Sequence, residues 1–206
     1  MVRYGDTNGS VVAPSITGAI VGSQQGSPTT FYAWEPSTWP QPPNRVDDEF
    51  VGNLRTIFND SMLDEIDNVI GDAQKSNGDL QHRGHVVAIS LLCALDAVSF
   101  YGYGADKIPD FVRAHFPPEY RPHAERLLIL YRHIMVHRWH LFRAALAPGN
   151  DPPTTDQKGV LCLGLLHFRD ALRVAVEDFL QRLKSDATLQ TKTLRAYSRL
   201  RRSAIT

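Results

Sequence analysis

The sequence contains little cysteine, and its two cysteines form no metal or redox pattern. Cys93 and Cys162 lie far apart among 206 residues, each in an apolar stretch. Neither belongs to the CxxC spacing of zinc and redox sites, so we expect two buried thiols in a reducing compartment. A disulfide scaffold or a cysteine-based metal centre is therefore not indicated.

Net charge and long apolar runs are missing as well. Lys and Arg together number 22, as do Asp and Glu, so no overall field draws the chain towards nucleic acid or an acidic membrane. The longest apolar run, residues 86–98, is shorter than the roughly 18–20 residues that span a bilayer, and it contains Asp96. The first ten residues lack the features of a secretory signal. We expect a soluble, cytoplasmic protein without membrane contact.

Local charge is more informative than net charge. Residues 46–80 contain nine acids and two bases, whereas residues 182–206 contain seven bases and one acid. Residues 121–143 contain five arginines, one acid and four histidines. These stretches either balance one another in a packed bundle or bring the basic segments to a polyanion, and the sequence leaves both options open.

The chain divides into three parts by composition. Residues 1–45 form a Pro-, Gly- and Ser-rich N-terminal arm, which we expect to be loosely ordered and to dock its aromatic side chains on its own domain or on a partner. Residues 46–185 have the apolar spacing of helices and predict a helical bundle. Residues 186–206 predict a basic C-terminal helix or tail.

The predicted fold is all-α: four main helices in a bundle, a short inserted helix and the basic C-terminal helix. We predict long helices from Val46 to about Ala73, from His82 to Tyr101, from Pro122 to about Phe142 and from Leu161 to Leu183, a short helix over residues 108–116, and a last helix from Ala187 to Arg202. Residues 147–159, rich in Pro, Gly and Asp, predict a loop.

One stretch of the third long helix, YRHIMVHRWHLF at residues 131–142, concentrates groups that carry chemistry. On an ideal helix His133, His137 and His140 lie on one flank of its apolar face, and Arg132 lies about 140° from His137. Arg138 falls within the apolar face. A charge there needs an acid such as Asp96 as its partner, unless regular helix ends near His137.

Two interpretations of this stretch do not involve catalysis on phosphate. Three histidines on one helix are able to bind zinc, but His133 is followed by Ile134, so no HExxH motif is present, and the two arginines would repel a cation. We therefore predict no metal and no cofactor. The other interpretation is structural, with the histidines on the flank of a bundle helix and partly exposed.

Arg132 and His137, with the polar His133 directly after the arginine, form an R-x4-H motif on the third bundle helix. This motif and the order of the helices over residues 46–185 resemble the HEPN superfamily, the all-α domains of prokaryotic toxins and CRISPR-linked ribonucleases. The resemblance implies metal-independent endonucleolytic cleavage of RNA, at a composite site between the two subunits of a homodimer. It also implies the role of a toxin or antiviral defence effector, with an antitoxin or defence-system protein as partner.

The residue types suit that chemistry. RNA carries its own nucleophile, the ribose 2′-hydroxyl, and an imidazole is able to move its proton near neutral pH. His137 would be the general base or acid, and Arg132 would hold the phosphate with its forked guanidinium. His133 and Arg138 would orient or contact the phosphate.

Trp139 departs from one branch of the family. Toxins paired with a nucleotidyltransferase antitoxin continue the motif as R-x4-H-x-Y, and that tyrosine is the target of modification. The indole of Trp139 has no hydroxyl, so we expect it to pack or, with His140, to contact a base of the substrate.

Two further hypotheses remain. The first alternative is a non-catalytic HEPN-like module that binds nucleic acid or protein through the basic segment from Lys192 to Arg202. The second is a structural protein whose arm docks on a neighbouring chain in an assembly.

Overall fold

The computed structural model describes residues 45–75, 84–136 and 144–205. Residues 1–44 of the predicted N-terminal arm, which was expected over residues 1–45, lie outside these ranges. Helices and short strands follow one another in chain order. They are helix α1 (Asp48–Arg55), a π-helical segment (Thr56–Leu63), α2 (Asp64–Lys75), α3 (Gly84–Tyr103), α4 (Ile108–His115), a 3-10 helix (Pro118–His123), α5 (Ala124–Val136), strands β1 (Ala144–Ala147), β2 (Thr154–Thr155) and β3 (Leu161–Gly164), α6 (Leu165–Leu183) and α7 (Ala187–Ile205). The prediction of a mainly helical fold is confirmed.

The first predicted helix exists, but it is not uniform. Asp47 caps α1, because its carboxylate accepts a hydrogen bond of 2.9 Å from the Phe50 amide, and the acids of the first turn suit the helix dipole. The chain then widens into the π-helical segment, at whose end the Asp64 amide donates to the Asn59 carbonyl, five residues back. The spacing of apolar residues in the sequence did not predict this change from an α-helix to a π-helix.

Helix α3 lies at the centre of the fold. It is apolar nearly all round, and both its early residue Val87 and its late residue Val98 are fully buried. Helices α4, α5, α6 and α7 all pack against it. By length and composition α3 could cross a bilayer, but half of it is buried inside the fold, as in the core helix of a soluble protein. The helix ends at Gly104, whose φ of 93° favours glycine.

Helix α6 is held to the first helices by apolar packing and by ion pairs. Its residue Phe179 packs on Phe58 and lies so close to Gly102 of α3 that a Cβ there would come within 2.9 Å of the ring. On the outer side, Arg55 donates to Glu177 at 2.8 Å and Arg173 donates to Asp67 at 2.6 Å. These partly exposed pairs fix the relative position of the helices more than they add stability.

Helix α7 confirms the predicted C-terminal helix and belongs to the packed structure. Leu189, Thr193 and Ala196 of α7 are buried, and the Tyr197 ring packs at a near-perpendicular angle on Phe50 of α1. Asp186 caps the helix through the amides of the two residues Thr188 and Leu189. The helix therefore has one face towards the core and one towards solvent.

A small sheet corrects the prediction of an all-helical chain. Strand β3 pairs in parallel with β1 and antiparallel with β2, in the order β1-β3-β2. The expected helix start at Leu161 was wrong, because residues 161–164 form β3 and α6 begins at Leu165. The predicted loop over residues 147–159 contains β2. A run of four apolar residues fits a short buried strand as well as a helix turn, and pairing decides between them.

Two other helix limits differ from the predictions. The third long helix was expected from Pro122, but Pro118–His123 forms a 3-10 helix and α5 begins at Ala124. The prolines at 118 and 122 lack the amide hydrogen that a regular α-helix would use. The expected continuation of this helix to Phe142 lies outside the described residues.

Gly164 allows the chain to change from β3 to α6 beneath the preceding loop. A Cβ at Gly164 would press on the backbone of Asp151 and lie 3.0 Å from the Gly149 carbonyl oxygen, which accepts a hydrogen bond from Leu166. We expect Gly164→Ala to lower the free energy of unfolding by about 1–3 kcal/mol through overpacking. Urea denaturation would measure it.

Gly52→Ala provides the matched control. Gly52 lies within α1, and nothing stands within 4 Å of its Cβ position. That substitution should raise stability by about 0.5–1 kcal/mol, because alanine favours helix. Equal stability of Gly164→Ala and the wild type would contradict the close approach at β3.

Candidate active site

The predicted catalytic strip begins on a well-defined helix. Arg132 and His133 occupy the last turns of α5, which the buried residues Ala124, Leu127 and Leu130 hold against the core. The side chains of Arg132 and His133 lie outside the described part of the chain. The predicted site residues His137, Arg138, Trp139 and His140 also lie outside it, so their predicted roles stay predictions.

Asp96, the predicted structural acid, lies at the contact between α3 and α5. Its carboxylate is half-buried and accepts a hydrogen bond of 2.9 Å from the Tyr131 hydroxyl. Tyr131 directly precedes Arg132 in the chain. The described partner of Asp96 is thus a tyrosine, and the predicted pairing with Arg138 falls outside the described residues.

Burial and neighbouring charge perturb this contact. Desolvation raises the pKa of Asp96 above its usual range, and the carboxylate of Asp106 raises it further, while the hydrogen bond from Tyr131 opposes the rise. Desolvation and the nearby Asp96 raise the pKa of Tyr131 to about 12, so the phenol keeps its proton and acts as a donor. The pair therefore positions α5 on α3.

Cys93 lies one helical turn before Asp96 and is not an activated nucleophile. Desolvation by burial and the charge of Asp96 both raise the pKa of the Cys93 thiol. A reactive cysteine needs the opposite shift, since the thiolate is the attacking species. Both cysteines were predicted to be buried, whereas Cys93 and Cys162 are each only partly buried.

Sequence reasoning missed a second polar cluster, around His115 of α4. Its Nδ1 lies 2.7 Å from a carboxylate oxygen of Asp178, and its Nε2 lies 3.1 Å from the Tyr103 hydroxyl. Arg182 contacts the same Asp178 oxygen at 2.9 Å. The side chain of His115 is only 1% exposed. No spacing in the sequence relates residues 63 positions apart, so this cluster had no sequence signal.

The His115 cluster joins helices around a buried imidazole. Burial lowers the pKa of His115, although Asp178 pulls in the opposite direction. The neutral ring then donates from Nδ1 to Asp178 and accepts at Nε2 from Tyr103, so that one imidazole links α3, α4 and α6. Aromatic rings of Phe111 and Phe179 pack on it.

A third polar contact lies at the start of α6. The fully buried Tyr120 has its hydroxyl 2.8 Å from Nδ1 of His167, and the two rings stack. His167 also lies 3.8 Å from Glu119, too far for a hydrogen bond. The contact fixes the 3-10 helix on α6.

Metal binding by the histidine-rich strip is neither supported nor tested. Within residues 45–75, 84–136 and 144–205, no group of three His, Cys, Asp or Glu side chains is placed to hold a metal ion. His137 and His140 lie outside those ranges, and so does the side chain of His133.

Comparison with models of known protein families, with curated proteins and with solved structures finds no match for this chain. The function of this chain therefore has to be inferred from its own residues and contacts.

Removing the Tyr131 hydroxyl should weaken the attachment of α5. We expect Tyr131→Phe to lower the free energy of unfolding by about 1 kcal/mol, because half-buried Asp96 loses its donor. Denaturation in urea would measure the loss. Tyr101→Phe is the control, since the Tyr101 ring packs in the core on Phe58. A larger loss in the control than in Tyr131→Phe would contradict the importance of the Asp96 contact.

The buried imidazole makes stability depend on pH. Because the pKa of His115 is lowered on folding, its contribution is fully present above the ordinary pKa of about 6.5 and is lost as pH falls below that value. We expect the free energy of unfolding to decline from about pH 7 to 5. The decline should be shallower in His115→Gln, although Asp178, Arg182 and Tyr103 still face the site.

His85→Gln is the comparison for this pH dependence, because His85 is exposed on α3. It should keep the wild-type slope of stability against pH. Identical slopes for the wild type and His115→Gln would show that another group causes the decline.

Proposed function

We propose that the chain is a metal-independent endoribonuclease of the HEPN type that acts in the cytoplasm, as a toxin or an antiviral defence effector. The observation that supports this proposal best is the place of the R-x4-H motif. Arg132 begins it on α5, and the Tyr131–Asp96 hydrogen bond, one residue earlier, attaches that helix to the central helix α3. The first residues of the motif, Arg132 and His133, therefore lie on a packed element of a mainly helical fold.

The proposed reaction uses the substrate's own nucleophile. His137 removes the proton of the ribose 2′-hydroxyl, whose oxygen attacks the neighbouring phosphorus and displaces the 5′-oxygen of the next nucleotide. That leaving oxygen takes a proton from an acid, which is a second His137 or water. Arg132 neutralises the charge that builds on the phosphate oxygens, a task that suits a forked guanidinium. Because His137, a second His137 or water carries each proton, the reaction requires no metal ion.

A homodimer suits the geometry of the motif. Arg132 and His137 are about 140° apart on an ideal helix, so one straight helix does not aim both side chains at one phosphorus. Two such helices related by a two-fold axis bring residues from both subunits into one cleft. His133 and Arg138 then serve as phosphate-binding groups, and Trp139 and His140 contact the RNA. A neutralising antitoxin or defence-system protein is the expected partner.

The deciding experiment is cleavage of mixed single-stranded RNA in the presence of EDTA. We expect the wild type to cut, and His137→Ala to lose at least roughly 100-fold in rate, because a general acid or base supplies about that factor. Arg132→Ala should lose a comparable factor through weaker stabilisation of the transition state.

Two matched variants control for loss of a histidine or an arginine elsewhere. His85 is exposed on α3, and Arg126 is exposed on α5 itself, where it donates to Thr155 at 3.0 Å. His85→Ala and Arg126→Ala should cut as the wild type does, with all variants folded by circular dichroism. Cleavage that survives in folded His137→Ala would overturn the assignment. Binding of RNA without cleavage by the wild type would favour the non-catalytic binding module.

A further inference from the structure

The solvent face of α7 is basic along much of its length. The helix contains five Lys and Arg residues and no acid between Ala187 and Ile205. Lys192, Arg195 and Arg199 are exposed, while Leu189, Thr193 and Ala196 face the core. The three cations follow one another at i+3 and i+4, which places them on one side of the helix.

Elsewhere most of the described cations are neutralised by a carboxylate. Arg55 pairs with Glu177, Arg113 with Glu125, and even the exposed Lys184 contacts Asp48 at 3.3 Å. Arg121, Arg126 and Lys158, on other elements, also have no carboxylate partner among the described residues, but on α7 two such cations lie one helical turn apart. Among the described residues, neither Lys192 nor Arg195 has a carboxylate within 4.0 Å; Lys192 lies instead over the Tyr103 ring, 5.4 Å from its centre.

The helix dipole does not account for these two cations. Basic side chains stabilise a helix within about its last turn, which would suit Arg201 and Arg202. Lys192 and Arg195 lie in the first half of a 19-residue helix, away from that end. Like charges at i, i+3 and i, i+4 also weaken a helix. The arrangement is thus unfavourable for the isolated chain and favourable once an anion binds.

We infer that the exposed face of α7, through Lys192 and Arg195, binds the phosphate backbone of RNA outside the catalytic strip. This inference rests on the proposed function for its choice of anion. Lys192 and Arg195 are about 4.5 Å apart along the helix axis, within the Debye length of about 8 Å at physiological salt, so the two charges act together on one polyanion. Both α7 and α5, on which Arg132 lies, pack directly on α3.

Binding is best measured on RNA that cannot be cut. The probe is a fluorescent 20-nucleotide 2′-O-methyl RNA of mixed sequence, and anisotropy gives Kd at several salt concentrations for the full chain. We expect Lys192→Gln/Arg195→Gln to weaken binding roughly ten-fold at about 0.1 M salt. The slope of log K against log salt should become shallower by about 1.4, since each lost contact to a single strand contributes about 0.7.

The control removes two exposed cations from other elements. Arg121, on the 3-10 helix, and Lys158, between β2 and β3, are exposed and have no described ion pair. Arg121→Gln/Lys158→Gln changes net charge by the same amount and should leave Kd and the salt slope nearly unchanged. An equal loss in both double variants would overturn the inference, because general charge would then explain binding. Competition by polyglutamate as strong as by RNA would overturn it in favour of an acidic protein partner.

The outcomes separate this inference from the proposed function. If cleavage depends on His137 but Lys192→Gln/Arg195→Gln leaves RNA binding unchanged, the α7 surface is disproved and the ribonuclease assignment is kept. If that variant binds RNA more weakly but the wild type does not cleave RNA, the α7 surface is kept and the ribonuclease assignment is disproved. Absence of any binding to the probe by the wild type would overturn the α7 surface outright.

Discussion

Burial of α3 is the constraint on which the rest of the structure depends. A 20-residue helix that is apolar on nearly every side must be covered on nearly every side, and each large side chain removed from water contributes roughly 1.5–3 kcal/mol. Helices α4, α5, α6 and α7 provide that cover. The basic C-terminal helix is therefore part of the core packing, and its cations Lys192, Arg195 and Arg199 remain exposed.

Polar contacts between helices then select one arrangement of the helices that pack around α3. His115 joins three helices through Asp178 and Tyr103, and Tyr131 joins α5 to Asp96. Such contacts add modest net stability, but a buried imidazole or carboxylate without its partner is costly, so alternative packings are disfavoured. The same contact at Asp96 places the first residues of the R-x4-H motif, which links the packing of the bundle to the proposed chemistry.

Helical periodicity was a good guide wherever one face of a helix is apolar over many turns. It located the first helices, α3, α6 and α7 within a few residues. It failed over Leu161–Gly164, where four residues are too few to show a period and pairing with β1 makes them a strand. It also did not predict the π-helical segment, whose apolar residues Phe58 and Leu63 are buried as those of a regular helix would be.

The amino-acid sequence by itself determined the mainly helical class, the central place of α3 and the presence of Arg132 and His137 at motif spacing, since each of these depends on residue types and their intervals along the chain. Only the tertiary structure decided which partner Asp96 meets, that His115 and Asp178 come together, and that Lys192, Arg195 and Arg199 are exposed. Those outcomes depend on distances between residues far apart in the chain, and such distances are fixed only when the helices pack together.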